Sequence, residues 1–361
     1  MLKDALSMIQ DDNSALDVAK KNILTHPALL EKFITDNLNT DEPDLRKSIL
    51  EAGQNALEQI PSNKIIRSSI ALLTASYAKR LNDTEESERC LLEAFRSHTT
   101  TLNYLRLRYM TKDWEKYREN ALEIFEEMNQ GIPSKSGIDF YSNYSTTDNV
   151  LGGNDCCCIL YFQEEFEKMR SKGMITENAL GWSFTFMKQG IALMLLLLHK
   201  DENYGKGMLA MVNRAQAACG FDVRKYYRGT AMETSDAYMK DRISFTEGAD
   251  DEKGTIDEKA VFSNLLKTWK KEVRLSDNDS VLWMERIDHW IEWRVEGIMN
   301  GNKRNYYGEC ASFIAALGEV QESRGVTKGK ELIMERYRAA YPRRRAFHDE
   351  LCLYGMYRRK R

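Results

Sequence analysis

Apolar residues in the first third of the chain recur at three- and four-residue steps. The clearest run consists of Ile66, Ile70, Leu73, Tyr77 and Leu81. This spacing places the side chains on one face of a helix. Similar runs follow the prolines at 27 and 43, which stand where the first turn of a helix tolerates proline. The pattern predicts successive amphipathic helices over residues 1–130.

Polar residues at the predicted helix starts support this division. Asn82-Asp83-Thr84 precedes one apolar run, and Thr99 or Thr100 precedes the next. Short polar side chains of these types accept hydrogen bonds from the first backbone N–H groups of a helix. By the same argument, Asp279 or Ser280 is predicted to cap a helix in the C-terminal half.

A polar segment interrupts the helical pattern at residues 131–156. Its proline, glycine and serine content is typical of a connection rather than a helix. Because loops of this length are uncommon inside compact domains, we expect a boundary here. The chain is thus predicted to have an N-terminal helical repeat region (1–130) and a C-terminal helical region with a basic tail (157–361). Helices in the second region are predicted at 160–169, 180–199, 207–219, 256–274, 279–300, 303–323, 327–340 and 342–354, with Pro342 in the first turn of the last.

Composition favours an all-α fold, because five prolines in 361 residues are few for a turn-rich β architecture. The longest apolar stretch, Ile191 to Leu198, falls short of the roughly 20 residues of a membrane span. The first residues lack the apolar region of a signal peptide. Seven irregularly spaced cysteines suit a reducing compartment. These features predict a cytoplasmic protein without a membrane segment.

Few residues offer catalytic or metal chemistry. Cys156-Cys157-Cys158 cannot all bind one tetrahedral metal without strain, and zinc sites favour spaced cysteine pairs. His289 lies one helical turn from Glu285 and from Glu292, which suits acid–base chemistry. A surface ion-pair ladder that includes Arg286 and Arg294 is the competing interpretation. Nucleotide-binding glycine loops and hydrolase motifs do not occur in the sequence, so we expect no cofactor and no metal.

The strongest charge asymmetry lies at the C-terminal end. The last 26 residues carry nine Lys/Arg and two acids, about +7 on a chain of net charge -3. Two clusters contribute, Arg343-Arg344-Arg345 and Arg358-Arg359-Lys360-Arg361, and both are candidate partner-binding residues. The first could be neutralised by Glu331 and Glu335. Otherwise an acidic protein or a nucleic acid could bind these cations.

Residues 64–97 have the 34-residue length of a tetratricopeptide unit. Ala75, Ser87, Leu91 and Ala94 fit four of its usual positions, whereas Ala71 and Thr99 stand where tryptophan and proline would be. The region therefore resembles a degenerate array of tetratricopeptide-like helical hairpins, which implies an α-superhelix.

Two further sets of segments carry a second resemblance. The N-terminal set is Ile66-Arg67-Ser68, Glu93 to Ser97 and Asn103 to Arg106, and the C-terminal set is Tyr306 to Ala311, Ala315 to Val320 and Tyr337 to Leu351. Together they resemble the helical region of bacterial SWIM-type zinc-finger proteins, which implies a helical array with interaction roles. The finger itself, CxC followed by CxH, is not present: Cys156 and Cys158 give a CxC, but no later cysteine has a histidine two residues on. Zinc binding is therefore not implied.

The sequence favours a non-enzymatic helical scaffold that binds a protein or peptide partner. One alternative is nucleic-acid binding through the C-terminal arginine clusters. Another is an enzyme that uses His289 with Glu285 and Glu292. The sequence does not indicate an oligomeric state.

Overall fold

The computed structural model describes residues 12–130, 147–221 and 258–357, with side chains from residue 14 onward and, in the last range, from residue 261. Apart from one isolated β-bridge between Lys64 and Asp148, all regular elements in these ranges are helical, which confirms the all-α prediction. The α-helices are α1 Asp12–Lys21, α2 Pro27–Asp36, α3 Pro43–Gln59, α4 Ile65–Arg80, α5 Thr84–Ser97, α6 Thr101–Met110, α7 Trp114–Asn129, α8 Gly153–Phe162, α9 Phe166–Gly173, α10 Met187–Leu198, α11 Lys206–Ala218, α12 Glu258–Glu272, α13 Asp277–Asn300, α14 Tyr307–Ser323, α15 Gly329–Ala340 and α16 Arg345–Leu353. Short 3₁₀ turns occur at Gly181–Ser183 and Arg304–Tyr306.

The described residues divide into two compact units. Unit 1 contains residues 12–130 and 147–159, and unit 2 contains residues 160–221 and 258–357. The division falls inside α8, which begins at Gly153 within the range predicted as a polar connection. Most of that connection, residues 131–146, lies outside the described residues.

Unit 1 is a stack in which each helix from α3 to α7 packs against the next. The start of α4 meets the end of α5, where Ser68 Oγ donates to the Ala94 carbonyl, so this pair is antiparallel. The predicted caps are confirmed: Asp83 accepts from Glu86 N at the start of α5, and Thr100 accepts from Asn103 N at the start of α6. Each cap satisfies a backbone donor that the helix itself leaves unpaired.

Helix α14 forms the centre of unit 2 and contacts α10, α11, α13, α15 and α16. Its residues from Cys310 to Val320 are all buried, as expected of a helix that is surrounded by others. Glycine permits the closest approaches. A Cβ on Gly207 would lie 2.4 Å from the Ala316 nitrogen, and one on Gly318 would lie 2.4 Å from the Lys330 Cα.

Helix α10 is the apolar stretch of the sequence, and it is buried in unit 2 against α9, α11, α13 and α14. Its 12 residues form a core helix. Among the helices in the described ranges, none is both long and apolar enough to cross a bilayer.

The main errors among the predicted helix boundaries in unit 2 have local causes. The helix predicted at 180–199 begins at Met187, after a short 3₁₀ turn at Gly181–Ser183. The helix predicted at 160–169 is broken between α8 and α9, where Glu164 adopts a positive φ of 65°. Helix α13 is capped by Ser276, whose Oγ accepts from Asp279 N, rather than by Asp279 or Ser280. Pro342 precedes the last helix, which begins at Arg345.

Candidate functional site

The three residues of the first predicted arginine cluster have two different environments in the structure. The side chains of Arg343 and Arg345 are exposed and have no ion pair or hydrogen bond with another described residue. Arg344 instead donates to the Met299 carbonyl at 2.7 Å and to Asn302 Oδ1 at 2.5 Å, at the end of α13. A cation is favourable at this position because helix carbonyls point outward there.

The predicted neutralisation by Glu331 and Glu335 is wrong. Glu331 pairs with Lys328, and Glu335 pairs with Arg338. The second cluster, Arg358-Arg359-Lys360-Arg361, lies outside the described residues.

Two further cations bind the backbone that leads to the second cluster. Lys206 Nζ donates to the Leu353 carbonyl at 3.1 Å, and Arg338 Nη1 donates to the Tyr357 carbonyl at 3.4 Å. Positive side chains from α11 and α15 therefore lie beside the segment that immediately precedes Arg358.

The proposed acid–base group of α13 is an exposed helix face. His289, Glu285 and Glu292 are all exposed, and no described residue pairs with either carboxylate. The predicted ladder is also wrong, because both arginines bind acids outside α13. Arg286 pairs with Glu167 and Arg294 with Glu309.

Six of the seven cysteines are buried and Cys352 is half-buried; all but Cys219, which directly follows α11, lie in helices. Cys156, Cys157 and Cys158 lie in α8, and Cys156 Sγ donates to Asn129 Oδ1 at 3.2 Å. Burial raises the pKa of Cys90 and raises that of Cys310 to about 12, which disfavours the reactive thiolate. No group of His, Cys, Asp and Glu in the described ranges could hold a metal ion.

Three segments that carried the sequence resemblance come together in unit 1. Arg67 is buried and donates to the Leu57 carbonyl through Nε and Nη2, to Ser97 Oγ at 2.6 Å and to Glu93 Oε2 at 2.5 Å. Asn103 Nδ2 in turn donates to Ser68 Oγ at 3.1 Å. These residues form a polar network between α3, α4, α5 and α6.

Residues 147–159, which follow the 131–146 segment in the chain, bind the turn between α5 and α6. Asn149 Oδ1 accepts from Thr99 N at 2.9 Å, and Asn149 Nδ2 donates to the Arg96 carbonyl. Asp155 Oδ1 accepts from both N and Oγ1 of Thr101, at 2.8 and 2.7 Å. The turn between α5 and α6 is therefore held by side chains about 50 residues further along the chain.

Asp155 provides a pH-dependent prediction. Desolvation raises its pKa, although the hydrogen bonds from Thr101 oppose the shift. A raised folded-state pKa means that stability is greatest at pH values below the unfolded pKa, where the carboxyl is neutral, and is lost as the pH rises through the folded pKa. Asp155→Asn keeps an acceptor oxygen without ionising. We therefore expect it to match or exceed the native chain in unfolding free energy at pH 8.

Asp155→Ala is the matched comparison. It leaves both Thr101 donors without an acceptor and should cost about 1–3 kcal/mol. Urea unfolding at pH 5 and pH 8 measures both variants. Equal destabilisation by asparagine and alanine at pH 8 would contradict the prediction, because it would show that the charge itself is required.

A closed surface loop is the most distinctive feature of unit 2. It runs from Gly173 to Phe186, and its ends meet where Phe186 N donates to the Gly173 carbonyl at 2.8 Å. Internal bonds order it: Thr176 Oγ1 donates to the Asn178 carbonyl, and Leu180 N donates to Asn178 Oδ1. A compact loop of about 6–16 residues with adjoining ends is an Ω-loop, a form that is frequently functional.

This Ω-loop exposes large apolar side chains. Phe184 is 66% exposed, Ile175 is 50% exposed and Leu180 is 38% exposed. Single exposed apolar residues are ordinary, but three within ten residues of one ordered loop are a candidate contact surface.

An ion-pair cluster of Arg294, Glu309 and Lys188 holds the backbone of the Ω-loop. Arg294, which is 1% exposed, donates to the Ala179 carbonyl at 2.8 Å. Its Nε and Nη2 also donate to Glu309 Oε1 at 3.1 and 2.8 Å, and Lys188 Nζ lies 2.6 Å from Glu309 Oε2. Burial alone would raise the pKa of Glu309, but Lys188 and Arg294 lower it below its usual value. Glu309 is therefore ionised and holds both cations in place.

Two aromatic rings also contact the Arg294 guanidinium. The Arg294 guanidinium lies 4.9 Å from the centroid of Tyr306 and 5.4 Å from that of Trp182, which is buried within the loop. Cations over ring faces are stabilised by the ring quadrupole. The loop backbone is thus attached to the core by a hydrogen bond at Ala179 and by the buried ring of Trp182.

Comparisons with known protein families, curated proteins and solved structures found no match to the chain. The likenesses to SWIM-type proteins and to tetratricopeptide arrays therefore remain predictions.

Proposed function

We propose that the chain is a non-enzymatic helical interaction protein, and that its Ω-loop inserts apolar side chains into a pocket of a protein partner. The supporting observation is the combination of an ordered loop backbone with the exposed side chains of Ile175, Leu180 and Phe184. Binding by a pre-ordered loop avoids much of the entropy cost of association. An exposed phenylalanine on such a loop is the kind of anchor that a partner pocket accepts.

Unit 1 fits the same role. Its sequentially packed helices with short connections support a tetratricopeptide-like array, which offers an extended surface to a peptide. The cysteines, all of which are free thiols within the described ranges, fit a reducing cytoplasm.

Site-specific photo-crosslinking in the source cell tests the proposal. A benzoylphenylalanine placed at position 184 is expected to give one discrete adduct with a different protein. Ile175→Asp in the same chain should abolish that adduct, because a carboxylate cannot enter an apolar pocket without a large desolvation cost. Leu332, an exposed apolar residue of α15, is the matched control position: Leu332→Asp should leave the adduct unchanged.

The outcomes separate the alternatives. An adduct that persists with Ile175→Asp would show that the apolar loop does not bind the partner. An adduct of twice the chain mass would show a second copy rather than a different protein. No adduct from position 184 would reject the loop as a contact surface.

Nucleic-acid binding is a second candidate, supported by the exposed and unpartnered Arg343 and Arg345 within the described ranges. Lys206 and Arg338, beside the segment before Arg358, add to the positive charge. The same crosslinking experiment with the label at position 343 separates the two functions. RNA or DNA adducts from position 343 would favour this candidate.

A further inference from the structure

Two surface connections of unit 2 meet at the C-terminal end of α13. One is residues 301–306, between α13 and α14, and the other is residues 341–344, between α15 and α16. Arg344 of the second connection joins them, since it donates to Asn302 Oδ1 at 2.5 Å and to the Met299 carbonyl at 2.7 Å. The two connections are therefore in direct contact.

Exposed cations stand on both sides of this contact. Lys303 and Arg304 follow it directly in the first connection, and Arg343 and Arg345 flank it in the second. Consecutive Cα atoms are about 3.8 Å apart, so all four cations lie within one or two residues of the contact. Their side chains are exposed, and none has an ion pair or hydrogen bond with another described residue. We refer to these four residues as the basic patch.

Other surface cations of unit 2 commonly have an acid partner. The ion pairs include Lys168 with Glu165, Lys267 with Glu202, Lys328 with Glu331 and Arg336 with Asp288. On the helices that flank the basic patch, the nearest exposed acids are Glu296 and Asp349, and neither forms an ion pair with a described residue. The basic patch therefore keeps an excess of positive charge at the surface.

The stability of α16 does not explain the arginines at its start. The N-terminal end of a helix is the positive end of its dipole, where cations are mildly unfavourable. The first turn of α16 contains no acid, and no described side chain caps it. An external anion at this position would interact favourably with both the arginines and the helix end.

The arrangement of the basic patch suits a polyanion with repeated charges. Its cations are spread over two connections, so a partner whose charges are also spread can contact several of them at once. Nucleic acid carries one phosphate per strand for about every 3.4 Å of duplex axis. Three of the four cations are arginines, whose planar donors match phosphate oxygens. The half-buried ring of Tyr341 precedes Arg343 by two residues and adds a surface on which a base can stack.

We propose that the basic patch binds the phosphate backbone of a nucleic acid, and that Lys303 and Arg304 are contacts that the sequence did not indicate. This inference rests on the nucleic-acid candidate described under the proposed function, and it names the surface that would perform it. The cations of the patch are distinct from the apolar side chains of the Ω-loop.

The salt dependence of binding tests the patch. Fluorescence anisotropy of the full chain is measured with a labelled RNA strand and, separately, with a labelled DNA duplex over a range of salt concentrations. At least one of the two is expected to bind, and the probe that binds identifies the type of nucleic acid. The logarithm of affinity should fall linearly with the logarithm of salt concentration, because neutralised phosphates release their counterions.

Paired substitutions in each connection measure its contribution. Lys303→Gln with Arg304→Gln should make the slope shallower by about 1.4 for a single strand or about 1.8 for a duplex, the values expected for two lost phosphate contacts. Arg343→Gln with Arg345→Gln should have a similar effect. Because all four side chains are exposed and unpaired within the described ranges, the variants should keep the native circular dichroism spectrum and melting temperature.

Lys200→Gln with Lys271→Gln is the matched control, since it removes the same charge from two exposed lysines elsewhere in unit 2. Lys200 N donates to Oγ of Ser323, the last residue of α14, whereas the first connection precedes α14. Lys271 follows Lys270, whose Nζ donates to the His199 carbonyl beside Lys200. The control should leave the slope unchanged.

Three results would overturn the proposal, and they differ in what else they reject. Absence of binding to both probes would also reject the nucleic-acid candidate. A slope that changes with the Arg343 and Arg345 pair, but not with the Lys303 and Arg304 pair, would reject this surface and retain that candidate. Equally strong competition by polyglutamate of the same charge would indicate an acidic protein partner instead. The photo-crosslink from position 184 should not change in any of these variants, so the Ω-loop proposal is tested separately.

Discussion

Replacing Glu309 with alanine is expected to lower the free energy of unfolding by about 3–5 kcal/mol. The carboxylate binds Arg294 through two nitrogens and Lys188 through its second oxygen. Removing it leaves the buried Arg294 and the half-buried Lys188 without this counter-charge, which costs more than the loss of the contacts alone. Urea unfolding, followed by tryptophan fluorescence, measures the change.

Glu292→Ala is the control for this substitution. It removes the same side chain from the exposed face of α13 and should change stability by no more than about 0.5 kcal/mol. The double variant Arg294→Met, Glu309→Leu should be more stable than the sum of its single changes predicts, since it removes both charges together. A cost for Glu309→Ala no larger than that of the control would contradict the assignment of the cluster as an anchor.

The same substitution should also loosen the Ω-loop. Without Glu309, Arg294 loses the group that orients it toward the Ala179 carbonyl. Amide hydrogen exchange in residues 174–186 should then rise, while exchange in unit 1 stays unchanged.

Replacing Arg67 with alanine is expected to cost unit 1 about 3–5 kcal/mol for a related reason. The buried guanidinium satisfies the Leu57 carbonyl, the Ser97 hydroxyl and the Glu93 carboxylate at once. Alanine would remove this donor from the Leu57 carbonyl and the Ser97 hydroxyl, and it would leave Glu93 with its longer pair to Arg96. Urea unfolding of the full chain, resolved by hydrogen exchange in helices α3 to α6, tests this.

Arg89→Ala provides the comparison within the same unit. Arg89 pairs with Glu86 on the surface of α5, and such a pair contributes about 0–1 kcal/mol. Arg67→Lys should recover only part of the loss, since an ammonium group cannot reproduce the planar set of donors. Similar effects for Arg67→Ala and Arg89→Ala would show that the buried network adds no stability.

The sequence predicts those features that depend on neighbouring residues. Asp83 and Thr100 cap helices as expected because each bonds a backbone N–H three residues away. The break at Glu164 was not predicted, because the apolar periodicity continues across it.

The candidate sites depend on distant contacts, which explains why sequence patterns miss them. Arg294 was interpreted as a surface residue, yet it binds Ala179, 115 positions earlier in the chain. The Ω-loop was not predicted, because the apolar pattern placed its second half in a helix at 180–199 that in fact begins at Met187. Conversely, the Arg343 to Arg345 run is visible in the sequence, but only the structure shows that Arg344 caps α13.

The attachment of residues 147–159 to unit 1 has a practical consequence for a cleaved chain. Asn149 and Asp155 bind the turn after α5, and Lys64 and Asp148 join by a β-bridge and an ion pair. A peptide bond cut anywhere in 131–146 would therefore leave two fragments that remain associated. They should copurify under native conditions, separate on a denaturing gel, and reassemble when the two halves are produced independently.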